Sequence, residues 1–380
     1  MTFSERPETL KFSIIFEFQC ADTSNEGERE TLLNCVDQAV FAESMGFDRI
    51  WAVEHHSLKH YAHMSAPEIF LTWVAAKTTR VRIGHGVVCM PFGYNHPLRV
   101  AERVGMLDSL SNGRLDVGAG RGATDIEMSG FNVDRDETYA QVKESLEILS
   151  QCWKEDIFEW DGTLQISPRS VIPRPVQLPH PPLFMACTKD ETVRLAAQYG
   201  VGALVLGFSG PEQVKLLRGI YDEAIAGRDH ADCISSAPND YLAALCPTIV
   251  MDNAEEAFQI GARGQKFFAE SIQHWHIGTP IPEPVPHSVD IRVAVQESKD
   301  RVEAFMVKGG HPVPAIAATT GPFNIDHAYG DKDDAIRYVS ALRDAGSDEI
   351  MCIMQMGGVP HEAAMETIRQ YGKYVIPYFT

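Results

Sequence analysis

The chain has 380 residues, of which 44% are hydrophobic and 22% charged, and this composition is typical of a folded protein with a sizeable core. The formal net charge of −19 disfavours nucleic acid or an anionic membrane as a partner, because both bind basic surfaces. The eight cysteines have no CxxC spacing, which favours reduced thiols over a disulfide framework or a zinc site. Residues 1–10 lack the apolar stretch of a signal peptide, and no apolar run approaches the roughly 20 residues of a membrane span. We therefore expect a cytoplasmic protein.

Short apolar runs alternate with helical patterns over the first half of the chain, which is typical of parallel βα units. The predicted strands of this half are 11–16, 49–53, 81–90 and 114–118. The predicted helices are 30–45, 67–77, 98–110 and 139–153. Four βα units of similar length indicate a regular repeating architecture.

The same alternation returns in the second half, after a proline-rich crossing loop over 168–182. Further predicted strands are 183–187, 203–206, 242–250 and 349–354, and further predicted helices are 190–198, 211–226, 333–345 and 361–374. Residues 251–329, with four prolines between 280 and 286 and a charged helix over 290–307, are predicted to be an insertion over the barrel mouth. The pattern predicts one (β/α)₈ TIM barrel domain over residues 1–380, with an insertion after the seventh strand.

Three ionisable residues, Glu54, His55 and His56, directly follow the second predicted strand. In a βα barrel the carboxyl ends of the strands carry the catalytic groups, and polar residues there have no packing role. We interpret the three residues as candidate catalytic groups. A metallohydrolase site built on His56, His60 and His63 is an alternative, but the first strand lacks a His-x-His pair, so we predict no metal site.

The segment after the fourth strand is rich in glycine, and Gly118, Gly120, Gly122 and Ala123 match a dinucleotide fingerprint. This match is weak because it falls in the fourth βα unit and residues 125–130 do not predict a helix that would face a pyrophosphate. Arg121 is better explained as a cation aimed at one phosphate, with flanking glycines that let the backbone approach.

Four segments together resemble the luciferase-like flavin-dependent monooxygenases, barrels that use reduced flavin mononucleotide (FMN) and oxygen. The first is GFDRIWAVEHH over 46–56, and the second is the P-x-x-x-x-HP turn over 91–97. The third is LDSLSNGRLDVGAGRG over 107–122, and the fourth is VPHEAAMETIRQYGKYVIPYF over 359–379. The resemblance covers almost the whole chain.

The resemblance implies roles for individual residues. His55 corresponds to the histidine of the flavin–oxygen chemistry, with Glu54 and His56 as its neighbours. The residues implied to contact the flavin are listed here: Gly86 and Val87, through a non-prolyl cis peptide beside the ring system, and Gly120, Arg121, Gly122, Ala186, Cys187 and Thr188, around the phosphate. Luciferase itself has an acidic residue in place of Cys187 and a reactive cysteine in place of Gly120, so light emission is not expected.

The implied reaction inserts one atom of O₂ into a small organic substrate at the expense of reduced FMN. No second nucleotide domain for NADH is evident, so we expect electrons from a separate NAD(P)H:flavin reductase. The resemblance also implies a homodimer or higher homo-oligomer that packs through helices near the second and third units. A deazaflavin (F420)-dependent oxidoreductase and a non-catalytic flavin-binding barrel remain alternatives, and the substrate stays open because one fold serves many reactions.

Overall fold

Parallel strands close into a barrel in the computed structural model, which describes residues 9–229 and 231–380. The strands are, in chain order, β1 (Lys11–Phe16), β2 (Arg49–Ala52), β3 (Arg82–Cys89), β4 (Leu115–Gly120), β5 (Phe158–Asp161), β6 (Gln165–Arg169), β7 (Leu183–Cys187), β8 (Gly202–Val205), β9 (Leu242–Val250), β10 (Ala328–Gly330) and β11 (Glu349–Ile353). The ring runs β11-β1-β2-β3-β4-β7-β8-β9, and β9 pairs back with β11. This closed, eight-stranded parallel barrel confirms the predicted TIM-barrel fold.

Helices follow the strands and cover the outside of the barrel. They are α1 (Asn25–Ser44), α2 (Pro67–Lys77), α3 (Pro97–Leu110), α4 (Asp125–Gly130), α5 (Thr138–Gln151), α6 (Asp190–Tyr199), α7 (Pro211–Ala226), α8 (Ala254–Ile277), α9 (Ile291–Lys308), α10 (Val313–Thr320), α11 (Lys332–Asp344), α12 (His361–Gln370) and α13 (Ile376–Phe379). Within residues 9–229 and 231–380, no helix is both long and apolar enough to cross a membrane. Residues 1–8, which fall in the segment predicted to lack a signal peptide, lie outside the described part.

Three predictions are corrected by the structure. Residues 125–130 do form a short helix, α4, because the side chain of Thr124 accepts from the backbone of Glu127 while Glu127 bonds back to Thr124. Strand β4 continues to Gly120, two residues beyond its predicted end at 118, so Gly120 lies inside a strand rather than after it. The proline-rich segment is partly strand, since β6 extends into it and pairs antiparallel with β5, a hairpin that the sequence pattern did not predict.

The predicted insertion, 251–329, contains α8, α9, α10 and β10. Strand β10 pairs in parallel with the outer end of β9, and α11 then leads to the last barrel strand, β11. The chain thus leaves the barrel after β9 and returns to it before α11. The closing helix also differs from its prediction, because a π-helical turn over Tyr371–Val375 links α12 to α13.

The amino-terminal end of the barrel is filled by a buried charge network centred on Arg49. Its guanidinium donates to Asp116 at 2.7 Å and also pairs with Glu349, which accepts from the indole of Trp51 at 2.7 Å. Both carboxylates are fully buried. Because buried charges are tolerated only when they are paired and hydrogen-bonded, this network closes one end of the barrel and leaves the carboxyl ends of the strands as the open end.

Candidate active site at the carboxyl ends of the strands

His55 lies just beyond the carboxyl end of β2 and is held by a carboxylate from α4. Its Nδ1 is 2.9 Å from Oε1 of Glu127, whose side chain is fully buried while that of His55 is 15% exposed. The same carboxylate accepts from the backbone N–H of His56 at 3.1 Å and from the Thr124 hydroxyl at 2.8 Å. Within the described ranges, Nε2 of His55 has no hydrogen-bond partner, so this nitrogen is free to act on a bound molecule.

The pairing changes the protonation of both groups. Burial lowers the pKa of His55, but the hydrogen bond and charge of Glu127, with the charges of Glu17 and Glu54, outweigh burial and raise it above 6.5. Burial also opposes ionisation of Glu127, yet the contacts with His55 and Thr124 lower its pKa from 4.5 to about 2. The pairing therefore favours the protonated form of His55, opposite an ionised Glu127.

His56 points away from His55 and belongs to a second carboxylate pair. Its Nε2 is 3.0 Å from Oε1 of Glu54, and its ring stacks on Tyr94 at a centroid distance of 5.7 Å and contacts Phe131 at 4.6 Å. Glu54 also accepts from the side-chain amide of Asn95 at 3.0 Å and from the backbone N–H of Cys89 at 2.7 Å. These contacts fix His56 as part of the wall formed by Tyr94 and Phe131.

Two further side chains of this end, Glu17 and Tyr61, were not identified from the sequence. The ring of Tyr61 lies 5.2 Å from that of His55, and its hydroxyl bonds to Glu17. Burial raises the pKa of Glu17 to about 7, against the opposing effects of the His55 charge and the Tyr61 hydrogen bond. A charged residue immediately after a buried strand was the available signal, and it is the same signal that identified Glu54.

Helix α8 of the insertion covers this end of the barrel. Phe268 packs on Tyr61 at 5.6 Å, and the indole of Trp275 donates to the backbone carbonyl of Lys59 at 2.9 Å. Burial lowers the pKa of His276 near the end of α8, and the charges of Glu127 and His55 act on it in opposite directions. Phe305, on α9 of the same insertion, is 47% exposed, whereas Phe268 is buried.

The residues predicted to face the flavin ring form one packed unit. The peptide bond between Gly86 and Val87 is cis, as the resemblance implied. A Cβ atom at Gly120 would collide with the side chain of Val87, and one at Gly118 would collide with the backbone carbonyl of His85. These two glycines are therefore required for close packing of β4 against the irregular part of β3.

Arg121 follows β4 at the open end of the barrel. Its guanidinium lies 4.8 Å from the centre of the Tyr139 ring, and no carboxylate within residues 9–229 and 231–380 pairs with it. Strand β7 is adjacent to β4, so Ala186, Cys187 and Thr188 leave the barrel beside Arg121. Thr188 is exposed, whereas the Cys187 thiol is buried and bonds to the carbonyl of Thr192, so Cys187 offers this surface only its backbone.

The residues around Arg121 fit the phosphate of a mononucleotide. A guanidinium without a carboxylate partner, an exposed hydroxyl and the backbone at Gly122, which has a positive φ of 82°, are donors of the kind that bind phosphate. The histidines of the alternative metal site are directed elsewhere, since His63 lies 3.4 Å from Glu28 and His56 pairs with Glu54. Within the described residues, no group of three or more His, Cys, Asp or Glu side chains is arranged to hold a metal ion.

The sequence profile described as "Luciferase-like monooxygenase" matches residues 10–371. The chain belongs to the luciferase-like monooxygenase family. It is 27% identical over 270 residues to the oxygenase component of the flavin-dependent trigonelline monooxygenase from Acinetobacter baylyi, a match that covers 70% of this chain and 72% of that protein.

Solved structures of the same fold include a monooxygenase and an F420-dependent reductase. The monooxygenase RslO1 from Streptomyces bottropensis superimposes with a TM-score of 0.73 at 24% identity, over 98% of this chain and all of that chain. The coenzyme F420 dependent tetrahydromethanopterin reductase from Methanopyrus kandleri superimposes with a TM-score of 0.66 at 19% identity, over 98% of this chain and all of that chain. At these identities the similarity shows the fold alone and does not identify the cofactor of this chain.

For this luciferase-like monooxygenase, the sequence placed Glu54, His55 and His56 at one end of one strand, but it missed Glu127. The carboxylate comes from a helix 72 residues further along the chain. The T-x-x-E pattern over 124–127 is a capping-box signal that would have predicted the start of this helix.

Proposed function

We propose that this luciferase-like monooxygenase binds reduced FMN and uses O₂ to insert one oxygen atom into a small organic substrate. The observation that supports the proposal is the His55–Glu127 pair at the open end of the barrel, in which Glu127 raises the pKa of His55 and leaves its Nε2 free. When bound, reduced FMN supplies the electrons that activate oxygen. The residues described above supply binding, orientation and protons.

Arg121 is proposed to bind the flavin phosphate together with Thr188 and the backbone of Gly122. The guanidinium has an aromatic ring on one side and lacks a carboxylate partner within the described ranges, so a phosphate would provide the missing charge. The cis peptide of Gly86–Val87 is proposed to lie along the ring system, because β3 separates Arg121 from His55 in the barrel. This arrangement would orient the flavin between the phosphate site and His55.

His55 is proposed to donate its proton during the reaction and to recover it from solvent afterwards. Glu127 keeps the imidazole charged and fixes its orientation through Nδ1. Helix α8 is proposed to exclude water, because Phe268 and Trp275 attach it to the segment that follows β2. If water entered the site, reduced flavin would be oxidised without oxygenation of the substrate. We therefore expect a helix to cover this end of the barrel.

A separate NAD(P)H:flavin reductase is the proposed electron source. The relative from Acinetobacter baylyi is by name an oxygenase component, which supports a two-component system. The deazaflavin-dependent oxidoreductase is kept as the second candidate, because F420-dependent enzymes match this chain both in sequence and in fold.

Anaerobic equilibrium dialysis separates the two candidates. The purified chain is dialysed in parallel against reduced FMN, oxidised FMN and reduced F420. The proposal predicts that reduced FMN binds more tightly than oxidised FMN and that F420 binds weakly. Tight binding of F420 with no binding of FMN would contradict the proposal and favour a deazaflavin-dependent oxidoreductase. Failure of all three cofactors to bind would exclude both candidate functions.

A further inference from the structure

Glu17 is a buried carboxyl group that the proposed function does not use. Phe16 and Phe18 on either side of it both contact Phe70 of α2, at ring-centroid distances of 5.3 and 4.9 Å. Glu17 directly follows β1, whose last residue pairs with Ala52 of β2, so it lies at the barrel mouth beside the segment that carries His55. Glu17 is only 9% exposed, and within the described part of the chain its Oε2 has no hydrogen-bond partner.

The surroundings of Glu17 connect it with the catalytic histidine. Tyr61 bonds to Glu17 and packs on His55, and the charge of each of the two groups acts on the pKa of the other. A carboxylate with a purely structural role at this depth would have both oxygens satisfied, because an unpaired buried acceptor is costly. The free oxygen and the contact with Tyr61 instead indicate a group that changes its charge.

The ionisable groups that face this pair come from four elements. They are Glu17 after β1, the residues Glu54, His55, His56 and Tyr61 after β2, Glu127 on α4, and His276 at the end of α8. Burial and the charges of Glu17 and Glu127 raise the pKa of Tyr61 well above 10, so its phenol stays neutral. Glu127 is ionised throughout the neutral range, whereas burial raises the pKa of Glu17 to about 7.

We propose that Glu17 is a positioning residue that keeps His55 protonated as the pH rises. Above neutral pH the Glu17 carboxyl releases its proton to solvent, and the resulting negative charge favours the imidazolium form of His55. One proton leaves Glu17, and His55 keeps its own. The catalytic consequence is that His55 remains an acid at more alkaline pH. Only this consequence rests on the proposed function, in which His55 is the proton donor.

The titration of His55 tests this coupling without any flavin. The full-length chain is labelled with ¹³C-histidine, and the imidazole signal of His55 is assigned by its loss in His55→Gln. In the wild type the signal should show two inflections between pH 5 and 10, one of them near pH 7 from Glu17. Glu17→Gln should abolish that inflection and shift the remaining midpoint of His55 to lower pH, whereas Glu17→Asp should keep two inflections.

The matched control is Glu144→Gln, because Glu144 is a carboxylate as buried as Glu17 that accepts from Trp160 and Leu164 instead of the groups around His55. This variant should leave the His55 curve unchanged. A Glu17→Gln curve that superimposes on that of the wild type, or an equal shift in the control, would overturn the proposal. If Glu17→Gln does not fold, the Glu17→Asp variant provides the test. Loss of the inflection near pH 7 in Glu17→Asp would then overturn the proposal. Since flavin is absent, failure of FMN to bind leaves the result intact.

Discussion

Oε1 of Glu127 lies 2.9 Å from Nδ1 of His55, although the two residues are 72 positions apart and on different βα units. Glu127 reaches the site because α4 begins at Thr124 with a capping box that turns its first glutamate inward. The pKa of His55 is thus raised by a group whose position depends on correct folding of the segment after β4.

This pairing gives the stability of the protein a defined pH dependence. The lowered pKa of Glu127 contributes stability above its ordinary value of 4.5, and the contribution is lost as the pH falls toward 2. The raised pKa of His55 contributes stability below 6.5, and the contribution is lost as the pH rises through the raised value. The pair therefore stabilises the fold most between pH 4.5 and 6.5.

Glu127→Gln tests this window. A pKa lowered from 4.5 to about 2 corresponds to about 3 kcal/mol, so the variant should lose on the order of 2 to 4 kcal/mol of unfolding free energy at pH 5.5. The loss should be smaller at pH 3.5 and at pH 9, as measured by urea unfolding. Asp125→Asn, a change of an exposed neighbour, should have little effect. A loss of equal size at all three pH values would show that the charge pair is not its cause.

Replacement of the two histidines should separate chemistry from packing. His55→Ala is expected to keep the fold and flavin binding but to lower turnover by about 10²- to 10⁴-fold, since a general acid typically contributes that much. His56→Ala should lose less turnover, because its ring packs on Tyr94 and Phe131 and bonds to Glu54. Oxygen consumption and hydrogen peroxide release with reduced FMN provide the assay before a substrate is known. An inactive His56→Ala beside a fully active His55→Ala would reverse the two roles.

The barrel and one side of the site could be predicted from the sequence because their signals are local. The ranges 183–187, 211–226 and 242–250 agree with β7, α7 and β9, each bounded by proline, glycine or a change of periodicity. The hairpin of β5 and β6 was missed because both strands are short and partly exposed. Glu127 and Glu17 were missed because their contacts with His55 and Tyr61 arise only when segments from different βα units meet at the barrel mouth.

Arg121→Ala should weaken the binding of reduced FMN. A charge-assisted hydrogen bond to phosphate contributes about 1.5 to 3 kcal/mol, so Kd should rise by roughly 10- to 150-fold. Anaerobic equilibrium dialysis measures this directly. Arg135→Ala is the matched control, because Arg135 pairs with the exposed Asp125 nearby. Equal Kd values for wild type and Arg121→Ala would remove Arg121 from the phosphate site.

The predicted oligomer has a candidate surface on α2 and α3. Ile69 and Trp73 of α2 and Met106 and Leu110 of α3 are all more than half exposed, and they line a groove of about 620 Å³. Because apolar patches of this kind mark interfaces, Trp73→Glu should convert an oligomer to a single 42.1 kDa chain in light scattering. Val307→Glu, at an exposed apolar residue of α9, should leave the mass unchanged. A wild type that already has the mass of one chain would contradict the prediction.

The reoxidation of bound flavin tests the central claim most directly. The chain is saturated anaerobically with reduced FMN, mixed with oxygenated buffer in a stopped-flow spectrometer, and compared with free reduced FMN and with the His55→Ala variant. The account predicts that the bound flavin reoxidises in two spectrally distinct phases, and that His55→Ala alters the second phase but leaves flavin binding intact. A trace that is identical to that of free reduced FMN, with the same trace for His55→Ala, would contradict it.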